Sequence, residues 1–328
     1  GASGMTARTG EALASARGLF DVEIQALEAV RDSLDGRFLD ILEQIVNCRG
    51  KVIITGMGKP GHIGTKIAAT MASLGTPAFY LHPAEALHGD LGMVGAEDVV
   101  LAISYSGESD EVIRLIPSLK LIGATLIGIS GNADSTLIRL SDYSFVFPPF
   151  EEACHMKLAP TSSTTAALVL GDALAVCASE RYGFNEKNFA LFHPAGALGK
   201  RLLVRTGDLM HRDKDNAVIH PGASLWEAIG EMSRKALGIL CIAEGDKLKG
   251  VFTDGDLRRA MSRRVDIYEA RIDDVMTRSP ITVGPDVLAV EALREMNRRN
   301  ISALPVLDGE RLAGTIRIND ITGAGIIL

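Results

Sequence analysis

The sequence predicts an α/β protein in which a parallel, five-stranded, doubly wound sheet is followed by a smaller α+β pair built from an internal repeat. Three observations predict it. Short apolar runs at 51–55, 77–81, 99–104, 125–130 and 143–147 alternate with helix-like segments. Runs that are apolar throughout belong to strands covered on both faces, which means parallel pairing. The polar residues of interest stand just past those runs, where ligands of parallel sheets collect. Beyond about residue 207, Asp208-Leu209-Met210 recurs as Asp274-Val275-Met276 and Glu231-Met232 as Glu295-Met296. Gly250-Val251-Phe252-Thr253-Asp254-Gly255-Asp256 likewise matches Gly314-Thr315-Ile316-Arg317-Ile318-Asn319-Asp320. Each copy, roughly sixty residues long, reads strand-helix-strand-strand-helix and should pack against the other as a pseudo-twofold pair.

Size and charge narrow the function. A chain of 328 residues can hold about two domains. Its formal net charge of -7 opposes the counterion release on which nucleic-acid binding depends, so no nucleic-acid partner is expected. Cys48, Cys154, Cys177 and Cys241 lie far apart with no CxxC pair, which signals neither a disulfide framework nor a structural zinc site. No apolar run reaches the ~18 residues of a membrane span and no signal-peptide core opens the chain, so a cytoplasmic protein is expected. Gly1-Ala2-Ser3-Gly4 ahead of Met5 looks like an expression scar (residues 1–4). The expected domains are then 5–205, 207–265 and 272–328.

From the N-terminus, Leu13, Phe20, Ile24, Leu27 and Leu34 form a heptad-like stripe, predicting an amphipathic helix. A shorter helix follows through Phe38, Leu42, Ile45 and Val46. After the first strand, Gly56-Met57-Gly58-Lys59 lets the backbone approach a ligand and brings it a compact cation. The spacing fits neither a dinucleotide fingerprint nor a P-loop. The third strand ends in Ser104-Tyr105-Ser106-Gly107-Glu108-Ser109 where a helix must begin, and hydroxyls clustered on unpaired helix N–H groups suit a phosphate. Thr161, Ser162, Ser163, Thr164 and Thr165 open a later long helix in the same way, after Pro160. Capping alone needs only one hydroxyl per helix.

Groups able to move protons lie near these turns. Glu111 stands in the first turn after the serines, where a carboxylate also complements the helix dipole. Glu152, among Phe150, Ala153 and Cys154, is expected to be partly desolvated, with its pKa raised toward neutrality as a base beside a carbonyl requires. His82, His88 and His193 lie in turns without the i, i+4 spacing of a helical metal pair.

Several motifs stand in the order of one family: Gly56-Met57-Gly58-Lys59, His82-Pro83, His88-Gly89-Asp90-Leu91-Gly92, Ser106-Gly107-Glu108-Ser109, Leu158 through Ala166, and His193-Pro194. On these, residues from about 50 to 203 resemble the sugar isomerase domain, flavodoxin-like in fold. Residues from about 207 to 328 resemble the tandem domain pair named after cystathionine beta-synthase. Together the chain resembles the arabinose 5-phosphate isomerases. The resemblance implies interconversion of D-ribulose 5-phosphate and D-arabinose 5-phosphate through an enediol, the entry to the Kdo sugar of lipopolysaccharide. It implies a homotetramer and turnover without a required metal or other cofactor.

By the same resemblance the catalytic residues are Lys59, Glu111, Glu152 and His193, and His82 matches a position where zinc can bind and inhibit. The substrate-binding set comprises Gly75, Thr76, His82, His88, Ser104, Ser106, Ser109, Arg114, Thr161, Ser162, Ser163 and Thr164. Thr253 and Asp256 stand where such repeat pairs hold a nucleotide ribose, and the second copy carries Arg317 opposite Thr253. A nucleotide or nucleotide-sugar effector is thus a second expected partner. Three positions depart from the family pattern: Tyr105 for asparagine, His155-Met156-Lys157 for a Pro-Leu-Gly run, and Ala195 for glycine. Two alternatives stay open, a non-catalytic sugar-phosphate sensor and an isomerase of a related hexulose or aminosugar phosphate. Regulators built on this domain carry a basic helix-turn-helix ahead of it, which the mixed-charge N-terminal stretch lacks.

Overall fold

The computed structural model describes residues 2–328, with side chains from residue 8 onward. The scar expected at residues 1–4 lies outside the residues whose side chains are described. The chain divides into two compact units, Gly1–Asn185 and Glu186–Leu328.

The first unit begins with α1 (Ala2–Ser33) and α2 (Gly36–Val46). It continues β1 (Val52–Thr55), α3 (Lys59–Ser73), β2 (Ala78–Tyr80), α4 (Pro83–Ala86), β3 (Val99–Ile103) and α5 (Asp110–Ile122). Then come β4 (Thr125–Ser130), α6 (Thr136–Leu140), β5 (Tyr143–Val146) and α7 (Ser162–Tyr182). The five strands pair in the order β2-β1-β3-β4-β5, all parallel. β1 and β3 are buried along their whole length, as the unbroken apolar runs required. One face packs Ile54, Leu101 and Ile127 against α2, α3 and α7, while Ile53, Val100 and Leu126 meet α4 and α5 on the other.

Close packing explains several glycines. A Cβ on Gly61 would lie 2.5 Å from Gly56 O and from Tyr80 Oη, and one on Gly64 would lie 2.9 Å from Ile54 Cγ2. Both keep α3 flat on the sheet. α7 is long and apolar enough to cross a membrane by length and composition, but half of it is buried within the protein, against α3 and the sheet. It is the core helix of this unit.

α1 is the helix the stripe predicts. The stripe is not buried in the chain: Leu13, Phe20, Ile24 and Leu34 remain exposed, and among the described residues of α1 only Ala26 and Val30 are buried. A helix this long can exist because its C-terminal turns pack on the core, while the rest presents apolar side chains outward.

The second unit runs α8 (Glu186–Phe192), α9 (Ala197–Leu203), α10 (Thr206–Leu209), β6 (Val218–Ile219), α11 (Leu225–Lys235), β7 (Ile239–Glu244), β8 (Lys247–Thr253) and α12 (Asp254–Ser262). The second copy follows as β9 (Thr277–Arg278), α13 (Ala289–Arg299), β10 (Ala303–Asp308), β11 (Arg311–Arg317) and α14 (Ile318–Gly323). Residues 186–203, read from sequence as the end of the first domain, belong by contact to this unit.

The copies clasp one another reciprocally. Thr277 pairs with Val251 of the first copy, and His211, its counterpart, pairs with Thr315 of the second. Each crossing runs over a glycine: a Cβ on Gly250 would lie 2.7 Å from Thr277 O, and one on Gly314 would collide with His211 O. That exchange is the pseudo-twofold relation the repeat predicted. The second copy keeps only an isolated bridge, Val283 to Val306, where the first has β6.

Candidate functional site

The carboxyl ends of β1, β3, β4 and β5 form one edge of the first unit. At β1, Gly56 is forced by crowding, since a Cβ there would sit 2.9 Å from Ile103 O, and Gly58 has φ +68°. This sharp turn sets Lys59 as the first residue of α3, with its side chain exposed at the edge.

The serine turn at the end of β3 is held from behind. Ser130 Oγ donates to Tyr105 O at 3.0 Å, Gly131 N donates to the same carbonyl at 2.8 Å, and Ser104 Oγ accepts Gly107 N–H at 3.1 Å. Gly107 has φ +70°, and a Cβ on it would collide with Ser135 Oγ, so only glycine turns the chain here. Ser106 Oγ accepts Glu108 N–H at 3.2 Å and stays exposed. Ser109 is the N-cap of α5, yet its hydroxyl makes no capping bond. The capping account of these serines therefore does not cover Ser109, whose hydroxyl stands beside the dipole end of α5. Glu111 and Arg114 follow on that helix, with Arg114 Nη1 3.9 Å from Asp110 Oδ2 in an exposed pair.

The later turn works differently from expectation. Glu152 caps α7 with its own carboxylate: Thr161 N–H donates to Oε2 at 2.5 Å, Thr161 Oγ1 donates to Oε2 at 2.9 Å, and Ser163 N–H donates to Oε1 at 3.1 Å. Burial pushes the Glu152 carboxyl up, but the hydrogen bonds from Ser163 and Thr161 outweigh it and hold the group below the ordinary carboxylate value. The raised pKa expected from apolar neighbours is corrected accordingly. Thr161 is spent on this arrangement, since its Oγ1 also accepts Ala153 N–H at 2.8 Å. Ser162 Oγ is fully buried with no hydrogen-bond partner among the described residues, a state that costs about 1–3 kcal/mol and is not selected by stability.

Between these turns lies a small cavity of about 10 Å³, lined by Pro60, Ile103, Tyr105, Phe147, Ser163, Thr164 and Ala167. Tyr105 and Phe147 form its aromatic wall, and Phe150 packs on both, with the three ring centroids 5.7 to 6.4 Å apart. Sequence reasoning missed this wall. Its signal was aromatic residues one to four places past the ends of β3 and β5, of which Phe147 read as strand, Tyr105 as a departure within the serine turn and Phe150 as a neighbour of Glu152.

The histidines and the remaining expected ligands are dispersed. His82 caps α4, its Nδ1 accepting Ala84 N–H at 3.1 Å, and His88 is exposed in the turn beyond. Gly75 and Thr76 lie instead before β2, at the opposite, amino edge of the sheet; Gly75 abuts the Phe184 ring and Thr76 Oγ1 bonds Tyr182 Oη at 3.1 Å. Among the described residues no three His, Cys, Asp or Glu side chains converge as metal ligands.

In the second unit, His193 stacks on Phe189 with ring centroids 3.8 Å apart. Its Nδ1 lies 2.7 Å from Phe189 O; a carbonyl only accepts, so Nδ1 is the donor of this bond. Thr253 and Asp256 face each other in a capping box on α12. Asp256 also takes Thr277 Oγ1 at 3.1 Å and Arg259 Nη2 at 2.5 Å. Its counterpart Asp320 binds Arg317 at 2.8 Å and His211 at 2.9 Å.

A 2-1-3-4-5 parallel sheet with a serine turn at its edge, joined to a reciprocal repeat pair, defines the class: a sugar isomerase (SIS) domain followed by tandem CBS domains. The SIS domain family matches residues 44–177 and the CBS domain family matches 207–263 and 272–326. The arabinose 5-phosphate isomerase KdsD of Yersinia pestis is 48% identical over 310 residues, 94% of each chain. That of Pseudomonas aeruginosa is 44% identical, covering 95% of this chain and 97% of its own. Among solved structures, an E. coli CFT073 protein in complex with arabinose 5-phosphate superposes with a TM-score of 0.55 at 42% identity, covering 56% of this chain and 98% of that one. The chain belongs to the arabinose 5-phosphate isomerase family.

Proposed function

We propose that this chain interconverts D-ribulose 5-phosphate and D-arabinose 5-phosphate through an enediol. One observation carries the reading. At a single sheet edge two helix N-termini divide the work: α5 presents the serine turn with an uncapped Ser109, while α7 holds Glu152 as a carboxylate. Phosphate is held by Ser104, Ser106 and Ser109 with the N–H groups of α5. Because Glu152 already takes the Thr161 N–H and hydroxyl and the Ser163 N–H, we assign the Thr161 to Thr164 turn to the base rather than to the phosphate.

Glu152 takes a proton from C1 of the ketose to give the enediol, exchanges it with solvent, and delivers a proton to C2 to give the aldose. Its depressed pKa keeps it ionised before the transfer and makes its protonated form ready to give the proton back. Lys59 stabilises the charge that develops on the sugar oxygen. His193 is assigned to ring opening or to proton transfer between oxygens, and Glu111 is the next candidate base. Relatives named arabinose 5-phosphate isomerase at 44–48% identity support the substrate assignment.

The exposed apolar residues of α1, with Val169 and Val176 on α7, support a homo-oligomer that covers them. A cytoplasmic tetramer working without a metal, with a nucleotide effector on the repeat pair, completes the proposal. A panel of pentose and hexose phosphates assayed with and without chelator tests reaction, substrate size and zinc inhibition through His82 together. A sensor would bind the panel and turn none of it over.

A further inference from the structure

The proposed site joins two segments far apart in the chain: the turn that holds phosphate after β3 and the segment that carries Glu152 after β5. One side chain spans them. The Tyr105 ring projects from between Ser104 and Ser106, stacks on Phe147 at 6.4 Å and 29°, and tilts onto Phe150 at 5.7 Å and 40°, two residues before Glu152. Behind it Gly131 is bare because a Cβ there would lie 2.5 Å from Tyr105 Cε2 and 2.7 Å from Cζ. Below, the ring walls the cavity that Ser163 and Thr164 line from α7. The backbone of Tyr105 is pinned as well, its carbonyl accepting from both Ser130 and Gly131.

We infer that Tyr105 is a positioning residue for the isomerisation: its ring, seated on Gly131 and gripping Phe150, fixes the segment bearing the base relative to the turn that anchors the phosphate. This rests on the function proposed above. Proton abstraction demands alignment within a fraction of an ångström, whereas phosphate binding by backbone N–H groups and serine hydroxyls does not pass through the ring. The inference therefore separates two quantities that a general loss of structure would move together. The hydroxyl is not the essential part, since every contact that ties the segments is made by the ring face. Burial, and next the charge of Glu152, raise the Tyr105 pKa, so the phenol stays neutral through the range in which the base works.

The test measures kcat and KM for ribulose 5-phosphate, the inhibition constant of inorganic phosphate and the melting temperature in wild type, Y105A, Y105F, G131A and the Y105A/G131A double variant. Y105A should lose at least about tenfold in kcat while its phosphate inhibition constant stays within about twofold, because misplacement acts on the chemical step and not on the anion site. Y105F, which keeps the ring, should restore kcat. G131A, whose backbone tolerates alanine but whose Cβ displaces the ring, should lower kcat alone, and the double variant should be no worse than Y105A. A wild-type kcat in Y105A, parallel losses of kcat, phosphate affinity and melting temperature, or additive effects in the double variant would each overturn the inference. Wild-type turnover combined with any of these leaves the proposed function standing; a wild type that turns nothing over overturns both.

Discussion

The Oε2 atom of Glu152 lies 2.5 Å from the backbone nitrogen of Thr161, so the residue assigned as base is also the acceptor that closes the N-terminus of α7. An oriented, ionised carboxylate costs little reorganisation at the moment of proton transfer. The same contact favours α5 for the phosphate, because the Glu152 carboxylate already places a negative charge at the N-terminus of α7.

This contact sets the acid limb of activity. A carboxyl with a depressed pKa is ionised above that lowered value and is lost as pH falls through it. The kcat profile should therefore hold down to a pH below the ordinary carboxylate value of 4.5 before declining. T161A removes one of the bonds and should move the limb upward, by a few tenths of a unit to about one unit on the scale of a single hydrogen bond. A pH profile of kcat for both proteins reads this directly.

Ser109 should separate binding from stability. Since its hydroxyl makes no capping bond on α5, S109A should leave the melting temperature within about 2 °C, the shift of a surface change in a protein this size. KM for the sugar phosphate should rise about tenfold, the loss of one hydrogen bond to a charged group. Thermal denaturation and steady-state kinetics on one preparation check both halves.

Gly107 should behave in the opposite way. Its φ of +70° and the collision of any Cβ with Ser135 Oγ make G107A destabilising by roughly 2 kcal/mol or more. Urea denaturation gives the value, and a neutral result would mean that the turn relaxes freely.

In the repeat pair, Asp256 ties Thr253, Arg259 and Thr277 together while almost fully buried. D256A should cost about 1–3 kcal/mol through the lost cap and the unpaired donors. If an adenine nucleotide also binds there, calorimetric heat present in the wild type should vanish in D256A.

Much of the sheet was legible because its strands are apolar without interruption, and burial on both faces leaves that mark in the residues themselves. Gly107 was legible as a turn beside hydroxyls, and the pseudo-twofold pairing of the repeats followed from the duplicated Asp-x-Met and Gly segments, though not the strand exchange that makes it. What the sequence could not carry depends on meetings between distant segments. Glu152 reads as a desolvated acid beside Phe150 and Cys154, and only the arrival of the α7 N-terminus at its carboxylate reverses the direction of the shift. Gly75 and Thr76 read as ligands by resemblance, yet chain direction puts them before β2, at the far edge. The α1 stripe of Leu13, Phe20 and Ile24 has helical periodicity whether the chain itself or a second copy covers it, so periodicity alone cannot name the partner.

Glu152 thus moves the proton in this proposal while α5 holds the phosphate. The most direct measurement incubates ribulose 5-phosphate with wild type and E152Q in deuterated water and follows the label by NMR, with inorganic phosphate affinity measured alongside. Arabinose 5-phosphate formed by wild type should carry deuterium at C2. In E152Q turnover should be reduced by about 10² to 10⁴-fold, the worth of a positioned base, with phosphate affinity retained. Near-normal turnover in E152Q, or loss of phosphate affinity with it, would contradict the account.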